Sequence, residues 1–484
     1  MILLAIALVA LSALSPVHLP VSTHNAQAQA AIDRGLFFYY AYNREDAVRA
    51  FSQAASNDSQ LAMAYWGVAL AEGPDLNTPE TEDRFEAGAR ASRQAVALEN
   101  SLAPHERGFI ESMALRYRGS FVDWNRDDDA YRAALLAFAE SSQDQNAQLL
   151  AAEALLEHGG LSWQNGAPAS GESREALAIV SSVLRADPAN VMANHLCIHL
   201  YDLAAERTPA RACARRLDAE VFPPAAEHLA HMPAHYWIET GDYAAALRSS
   251  ERAYALMAQL SAADANSQHV EQYEKHDVAV GYSAAMMLGD FALAERWSQR
   301  MSSAFGTSFD AITALRFGRY GAAYDAAGTQ FGGAAVRGLA AVHLDRLGEA
   351  QALAAHLASS SNPPGYVQQL FLARAAEAEG KYDEAIRWTK KALQNQQDQF
   401  GGELIPLIPA GELLGGIELR HGDAAGAVAA FSADLALYPD DSRALFGLSQ
   451  AFAATGAQAQ AAAARARSQQ VWEGADTSLD DALP

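Results

Sequence analysis

The strongest constraint on this chain is a spacing. Gly380-Lys381-Tyr382 leads to Ala385 and then Ala392, and Gly289-Asp290-Phe291 leads to Ala294. Gly241-Asp242-Tyr243 leads to Ala246 and Ala253, Gly422-Asp423 leads to Ala427, and Ala47 and Ala54 repeat the step near the start. Pro188 and Pro439 each precede a new helical stretch. Glycine permits a tight turn between antiparallel helices, and alanine lets their backbones approach closely. Apolar residues recur at helical spacing between these landmarks, and no β-branched alternating run of useful length interrupts them. The sequence therefore predicts an all-α chain of helical hairpins, about ten pairs from Ala31 to about Gln470.

These positions resemble the tetratricopeptide-repeat (TPR) consensus, a unit of ~34 residues closed by a proline. The resemblance implies an α-solenoid, a right-handed superhelix whose first helices line a concave groove where a peptide, protein or small molecule binds. A solenoid grows by adding repeats, so the length of the chain is not a count of domains.

The two ends depart from the repeat. Met1–Leu14 is an apolar run of signal-peptide length, too short to span a bilayer, and Ala26-Gln27-Ala28 and Ala28-Gln29-Ala30 offer small-residue cleavage sites. A signal peptide over 1–30, cut near Ala28 or Ala30, predicts a secreted or periplasmic protein with no membrane span in the mature chain. The solenoid then covers 31–470, and 471–484 reads as a frayed acidic tail. In an oxidising compartment the two cysteines, Cys197 and Cys213, either form a disulfide or remain reduced in the core. With 35 Lys and Arg against 58 Asp and Glu, the net charge of −23 repels phosphate backbones and excludes a nucleic-acid partner, while cations are attracted.

Five of the 14 histidines fall between positions 195 and 235. They read His195-Leu-Cys-Ile-His199-Leu-Tyr-Asp202, then His228-Leu-Ala-His231-Met-Pro-Ala-His235. Each segment carries a pair at i, i+4, which shares one helix face. In the TPR frame set by Pro188 and Gly241, His195/His199 and His231/His235 occupy equivalent first-helix positions facing the groove. His228 and His276 share another such position. The histidine-rich centre therefore spans 195–276. Packed helices lie ~8–10 Å apart, so facing imidazoles can meet on one ion. Histidines joined by a carboxylate suit Cu, Zn or Fe rather than Ca or Mg. The predicted metal ligands are His195, His199, Asp202, His228, His231, His235 and His276, with Glu153, Glu157 and Glu227 as spare carboxylates.

The two histidine segments resemble the signature of a group of bacterial TPR proteins, roughly HLxIHxxE followed by HLxHMPxHxY. Ala64-Tyr65-Trp66-Gly67, Lys275-His276-Asp277 and Leu445-Phe446-Gly447-Leu448 fit the same likeness. Asp202 stands where glutamate is commoner and Asp277 where asparagine is expected. The resemblance implies no substrate.

Pro233 either kinks the first helix of its repeat or opens a new one, leaving His228 in a loop. The stretch 159–173 is a long loop, read either as a lid over the site or as a plain surface insertion. Neither a phosphate loop, a His-Glu-x-x-His helix nor a nucleophile elbow is present. His158, His269, His343 and His421 stand alone in the repeat frame. Two functions follow: a metalloprotein for metal handling or metal-dependent chemistry, or a metal-free scaffold for proteins or peptides. An enzyme requires an open coordination position.

Overall fold

Short polar side chains fix where the helices begin. Asn25, Asn43, Asp144 and Asn190 accept hydrogen bonds from the first-turn N–H groups of Ala26–Tyr40, Arg44–Asn57, Gln145–Gly159 and Val191–Tyr201. Asp290, Asp423 and Asp441 do the same for Phe291–Phe305, Ala424–Leu437 and Ser442–Ala454. Each cap satisfies donors that a helix cannot pair internally. The protein is described by a computed structural model covering residues 15–98, 102–328, 330–359, 362–399 and 408–479. The apolar run Met1–Leu14 lies outside the described residues.

The described chain divides into two compact units, one reaching Pro233 and including Arg252–Tyr273, the other comprising Ala234–Glu251 and the chain from Glu274. In the first unit, five antiparallel pairs follow one another. They are Ala26–Tyr40 with Arg44–Asn57, Ala62–Glu72 with Glu82–Ala97, and Pro104–Arg116 with Trp124–Ser142, then Gln145–Gly159 with Gly171–Ala186 and Val191–Tyr201 with Arg211–Ala219. In the second unit five more pairs run from Asp310–Arg316 with Tyr320–Ala326 to Ser442–Ala454 with Gln458–Val471. Glu227–His231, Pro233–Glu239, Tyr243–Ala263, Gln268–Met287 and Phe291–Phe305 lie between these runs in sequence. The chain is all-α apart from one short hairpin among the described residues, as the repeat predicts.

The small residues act as the spacing requires. Gly241, Gly380 and Gly422 take left-handed φ values of +81°, +74° and +92° at their turns. Phe51 wedges between Gly35 and Gly67, where an added Cβ would come within 2.6 Å and 2.2 Å of its ring. Phe431 fits Gly415 and Gly447 in the same way, at 2.7 Å and 2.3 Å. Interiors packed to crystal-like density leave no room for such an atom.

Segments near both ends are held by the fold. The small-residue sites lie inside the first helix, with Ala28 and Ala31 fully buried. Upstream, Ser15 bonds Asp187 at 2.8 Å, Leu19 is fully buried, and Ser22 donates from its N–H and hydroxyl to Glu106 at 2.6 Å and 2.5 Å. Cleavage at Ala28 or Ala30 would remove this strap together with the Asn25 cap. At the other end residues 472–477 are docked. The N–H groups of Asp476 and Thr477 both donate to the Gly289 carbonyl at 3.1 Å, and Trp472 packs where a Gly289 Cβ would stand. Gly289 is small because the tail lies against it. Among the described residues, no helix is long and apolar enough to cross a membrane.

Candidate metal centre

Helix Val191–Tyr201 begins where Asn190 accepts from Ala193 N–H and Asn194 reaches back to the Pro188 carbonyl at 3.0 Å. Every residue from Val191 to Leu200 is buried. His195 and His199 share one face by their spacing of four. Cys197, between them, bonds Cys213 on Arg211–Ala219, so the ligand-bearing helix is tied covalently to its hairpin partner.

Pro233 settles the register of the second segment. It opens its own helix, Pro233–Glu239, and Glu227–His231 is a separate short helix. Pro is accommodated in a helix's first turn and excluded from its interior. His228 is therefore helical rather than in a loop, and it meets the first pair. His195 Nε2 lies 3.2 Å from His228 Nε2 and 3.1 Å from His199 Nε2. Each of the three offers a ring nitrogen within 4.8 Å of the other two, and all three residues are buried, at 0 %, 4 % and 1 % exposure.

The other predicted ligands fall elsewhere. His231 is buried in the first unit with its ring 6.2 Å from that of His228. His235 and His276 belong to the second unit, where their Nε2 atoms approach to 3.4 Å. Asp202 caps the C-terminus of the His195 helix and is nine-tenths buried, outside the close triad. Pro233 divides the helix between His231 and His235, whereas His195 and His199 share one unbroken helix. The triad of His195, His199 and His228 is enclosed.

Two tyrosines do much of the enclosing. Tyr42, held at a left-handed φ of +54°, lays its ring 4.4, 5.8 and 5.4 Å from those of His195, His199 and His228. A bulky side chain at positive φ is uncommon and costs energy that its surroundings must offset. Tyr273 lies 4.7 Å from His228 and 4.8 Å from His269. His269, with no role in the repeat frame, is buried and paired with Glu227 at 2.7 Å. Of the spare carboxylates, Glu153 accepts from the Tyr39 hydroxyl at 2.7 Å, and Glu157 pairs with Arg116 at 3.1 Å. Burial, reinforced by Asp75, pushes the Glu153 carboxyl up to about 8 against the Tyr39 hydrogen bond.

His195 Nδ1 lies 2.8 Å from the Tyr40 carbonyl, which can only accept, so that nitrogen donates, and in the neutral ring Nε2 carries the lone pair. Burial, followed by the neighbouring imidazoles, holds His228 well below the usual histidine range, so His228 is neutral. One lone pair on His195 faces two further Nε2 atoms. If both carry hydrogens they crowd a single acceptor, and if either does not, lone pairs oppose each other at close range. A cation between the rings would relieve the conflict, and nitrogens 3.1–3.2 Å apart are compatible with metal–nitrogen bonds of ~2.0–2.1 Å. The Tyr40 carbonyl would then be the outer hydrogen-bond partner that ligating imidazoles usually have.

The loop at 159–173 is a β-hairpin, Trp163–Gln164 against Ala167–Pro168, turned by Asn165 and Gly166 at φ +52° and +78°. Trp163 Nε1 donates to the Leu200 carbonyl at 2.7 Å and its ring lies 5.3 Å from that of Tyr201. The hairpin thus closes the end of the His195 helix. The Asn-Gly dipeptide is the signal that marks it, since both central residues of such a turn need positive φ.

No family model and no curated protein matches this chain. Solved structures similar to it include the Cut9–Hcn1 hetero-tetramer of the APC/C, at 12 % identity, TM-score 0.37, covering 82 % of this chain and 77 % of that one. Yeast Tom70 is similar at 12 % identity and TM-score 0.28, covering 94 % and 93 %. The human IFIT1 dimer with PPP-AAAA is similar at 13 % identity and TM-score 0.30, covering 92 % and 91 %.

Proposed function

We propose that the first unit holds a transition-metal ion, Cu, Zn or Fe, on the Nε2 atoms of His195, His199 and His228. The observation that carries this reading is the convergence of three buried imidazole rings, each offering a nitrogen within 4.8 Å of the other two. Neutral imidazole suits these metals, whereas Ca and Mg prefer oxygen. Three protein ligands leave a four-coordinate ion one position for water or substrate, the arrangement of catalytic rather than closed structural sites. Metal handling and metal-dependent chemistry both fit such a site. His235 and His276, 3.4 Å apart, are a further pair of nitrogen donors in the second unit.

The Cys197–Cys213 disulfide supports an oxidising location, secreted or periplasmic, with Met1–Leu14 as the apolar part of an export signal. The helical hairpins also support a second reading, a scaffold for a peptide or protein without metal. Elemental analysis of untagged protein separates the two. Near-stoichiometric Cu, Zn or Fe, lost in His195→Ala and His228→Ala while the helical circular dichroism persists, supports the metal centre. Metal-free wild-type protein leaves the scaffold.

A further inference from the structure

The second unit contains a cavity of about 730 Å³, a volume typical of small-molecule sites. It lies among helices Gln268–Met287, Phe291–Phe305, Asp310–Arg316, Gly333–His343 and Tyr366–Ala378. Its lining is apolar for a specific reason. Tyr282 and Tyr366 present their rings, while their hydroxyls are engaged elsewhere. The Tyr282 hydroxyl bonds Thr313 Oγ1 at 2.5 Å, and the Tyr366 hydroxyl donates to the Ile408 carbonyl at 2.5 Å. Gln368 Oε1 is likewise taken, accepting from Gly365 N–H at 2.8 Å.

The aromatic rim is left open. Phe305 and Phe331, two of the few large apolar residues exposed in the chain, are 43 % and 40 % accessible, and Phe331 stacks on Phe309 at 4.8 Å. A lysine stands beside this rim. Lys275 precedes the lining residues Ala279 and Ser283 at i+4 and i+8, on the same helix face. Its ammonium lies 6.0 Å from the Phe305 ring and makes no ion pair among the described residues. In a chain of net charge −23, this ammonium beside the cavity rim offers a carboxylate a counter-charge.

We propose that this cavity binds the tail of a single-chain anionic amphiphile of the fatty-acid type, with its carboxylate at Lys275. A peptide would bring backbone N–H and C=O groups against a lining whose polar atoms are largely paired already, and such groups are costly to bury unsatisfied. An acyl chain brings none. Its burial and that of the exposed phenylalanines favour binding through apolar area removed from water.

The test is calorimetric titration of the full chain with palmitate below its micellar concentration, alongside the alcohol of equal length and anionic phospholipid vesicles. The proposal predicts saturable one-to-one binding of palmitate. Filling the cavity with Ala279→Phe weakens it at least about tenfold, and Lys275→Gln weakens the acid about tenfold while leaving the alcohol unchanged. Should Ala279→Phe fail to fold by circular dichroism, Phe331→Asp at the exposed rim replaces it with the same expected loss. The proposal is overturned by absence of palmitate binding, by binding indifferent to these substitutions, or by binding to vesicles alone.

Discussion

In the second unit Arg316 grips both oxygens of Glu412, each at 2.5 Å, and Asp434 and Asp441 are buried with them. Arg443 stands close by, donating to the Met286 carbonyl at 3.0 Å, and burial together with Arg316 pushes it down to about 9. Asp441 also caps a helix, accepting from Arg443 N–H at 2.8 Å. In the first unit His195, His199 and His228 gather just as closely, with ring nitrogens facing one another. Both clusters are buried triads within metal-ligating distance. The acidic one carries its own cations in the form of guanidinium groups, whereas the imidazole one gathers neutral nitrogen donors around one another. Proximity of ligating atoms is therefore a weaker guide to a metal than an unbalanced set of donors and acceptors.

The contrast can be broken at its stronger end. Glu412→Ala strands Arg316 without its partner carboxylate, and removing one member of a buried pair costs about 3–5 kcal/mol. Urea unfolding should show that loss whether or not a chelator is present. An unchanged midpoint would mean that the guanidinium is solvated in solution. The first unit has a covalent brace instead. Cys197→Ser with Cys213→Ser is expected to cost about 2–4 kcal/mol by the same measurement, since the link constrains the unfolded chain. Metal retention should fall with it, because Cys197 sits between two of the proposed ligands.

Acid and alkali should sharpen the difference between the units. Burial, with Arg374 and Arg420 nearby, pushes His343 in the second unit down to about 3. Its unfolded form takes up a proton near pH 6.5, so it contributes stability that is lost as pH falls from about 6.5 towards 3. Glu153 in the first unit, raised to about 8, has the opposite sign. Its contribution is present below about pH 4.5 and is lost as pH rises towards 8. Each slope reaches about 1.4 kcal/mol per pH unit. Subtracting the unfolding curves of His343→Gln and Glu153→Gln from the wild type isolates them, and parallel curves would refute the assignment. The smallest effect is expected from Trp163→Phe, which loses one hydrogen bond to Leu200 and about 1 kcal/mol. It should leave bound metal in place.

Much of the fold was legible because its causes are local. The alanine and glycine landmarks and the i, i+4 spacing of His195 and His199 act within a few residues. The docked tail was not legible, since Trp472 meets Gly289 far along the chain. The centre was half legible. Histidine density and spacing marked the segment, but Pro233 divides its helix, and that break puts His228, rather than His231 or His235, with the first pair. Tyr42, Tyr273 and the Glu227–His269 pair gave no local sign. The Tyr40 carbonyl that fixes His195 is 155 residues away, and Arg316 and Glu412 are 96 apart. The Asn165-Gly166 turn was local, yet it is masked by a helical surrounding that argues against strands.

The most direct measurement is X-ray absorption at the metal edge of purified protein, for the wild type and for His228→Ala. The account predicts a shell with three imidazole nitrogens at ~2.0–2.1 Å, reduced by one in the variant. A wild-type protein that retains no transition metal, or a shell indifferent to His228→Ala, would contradict it.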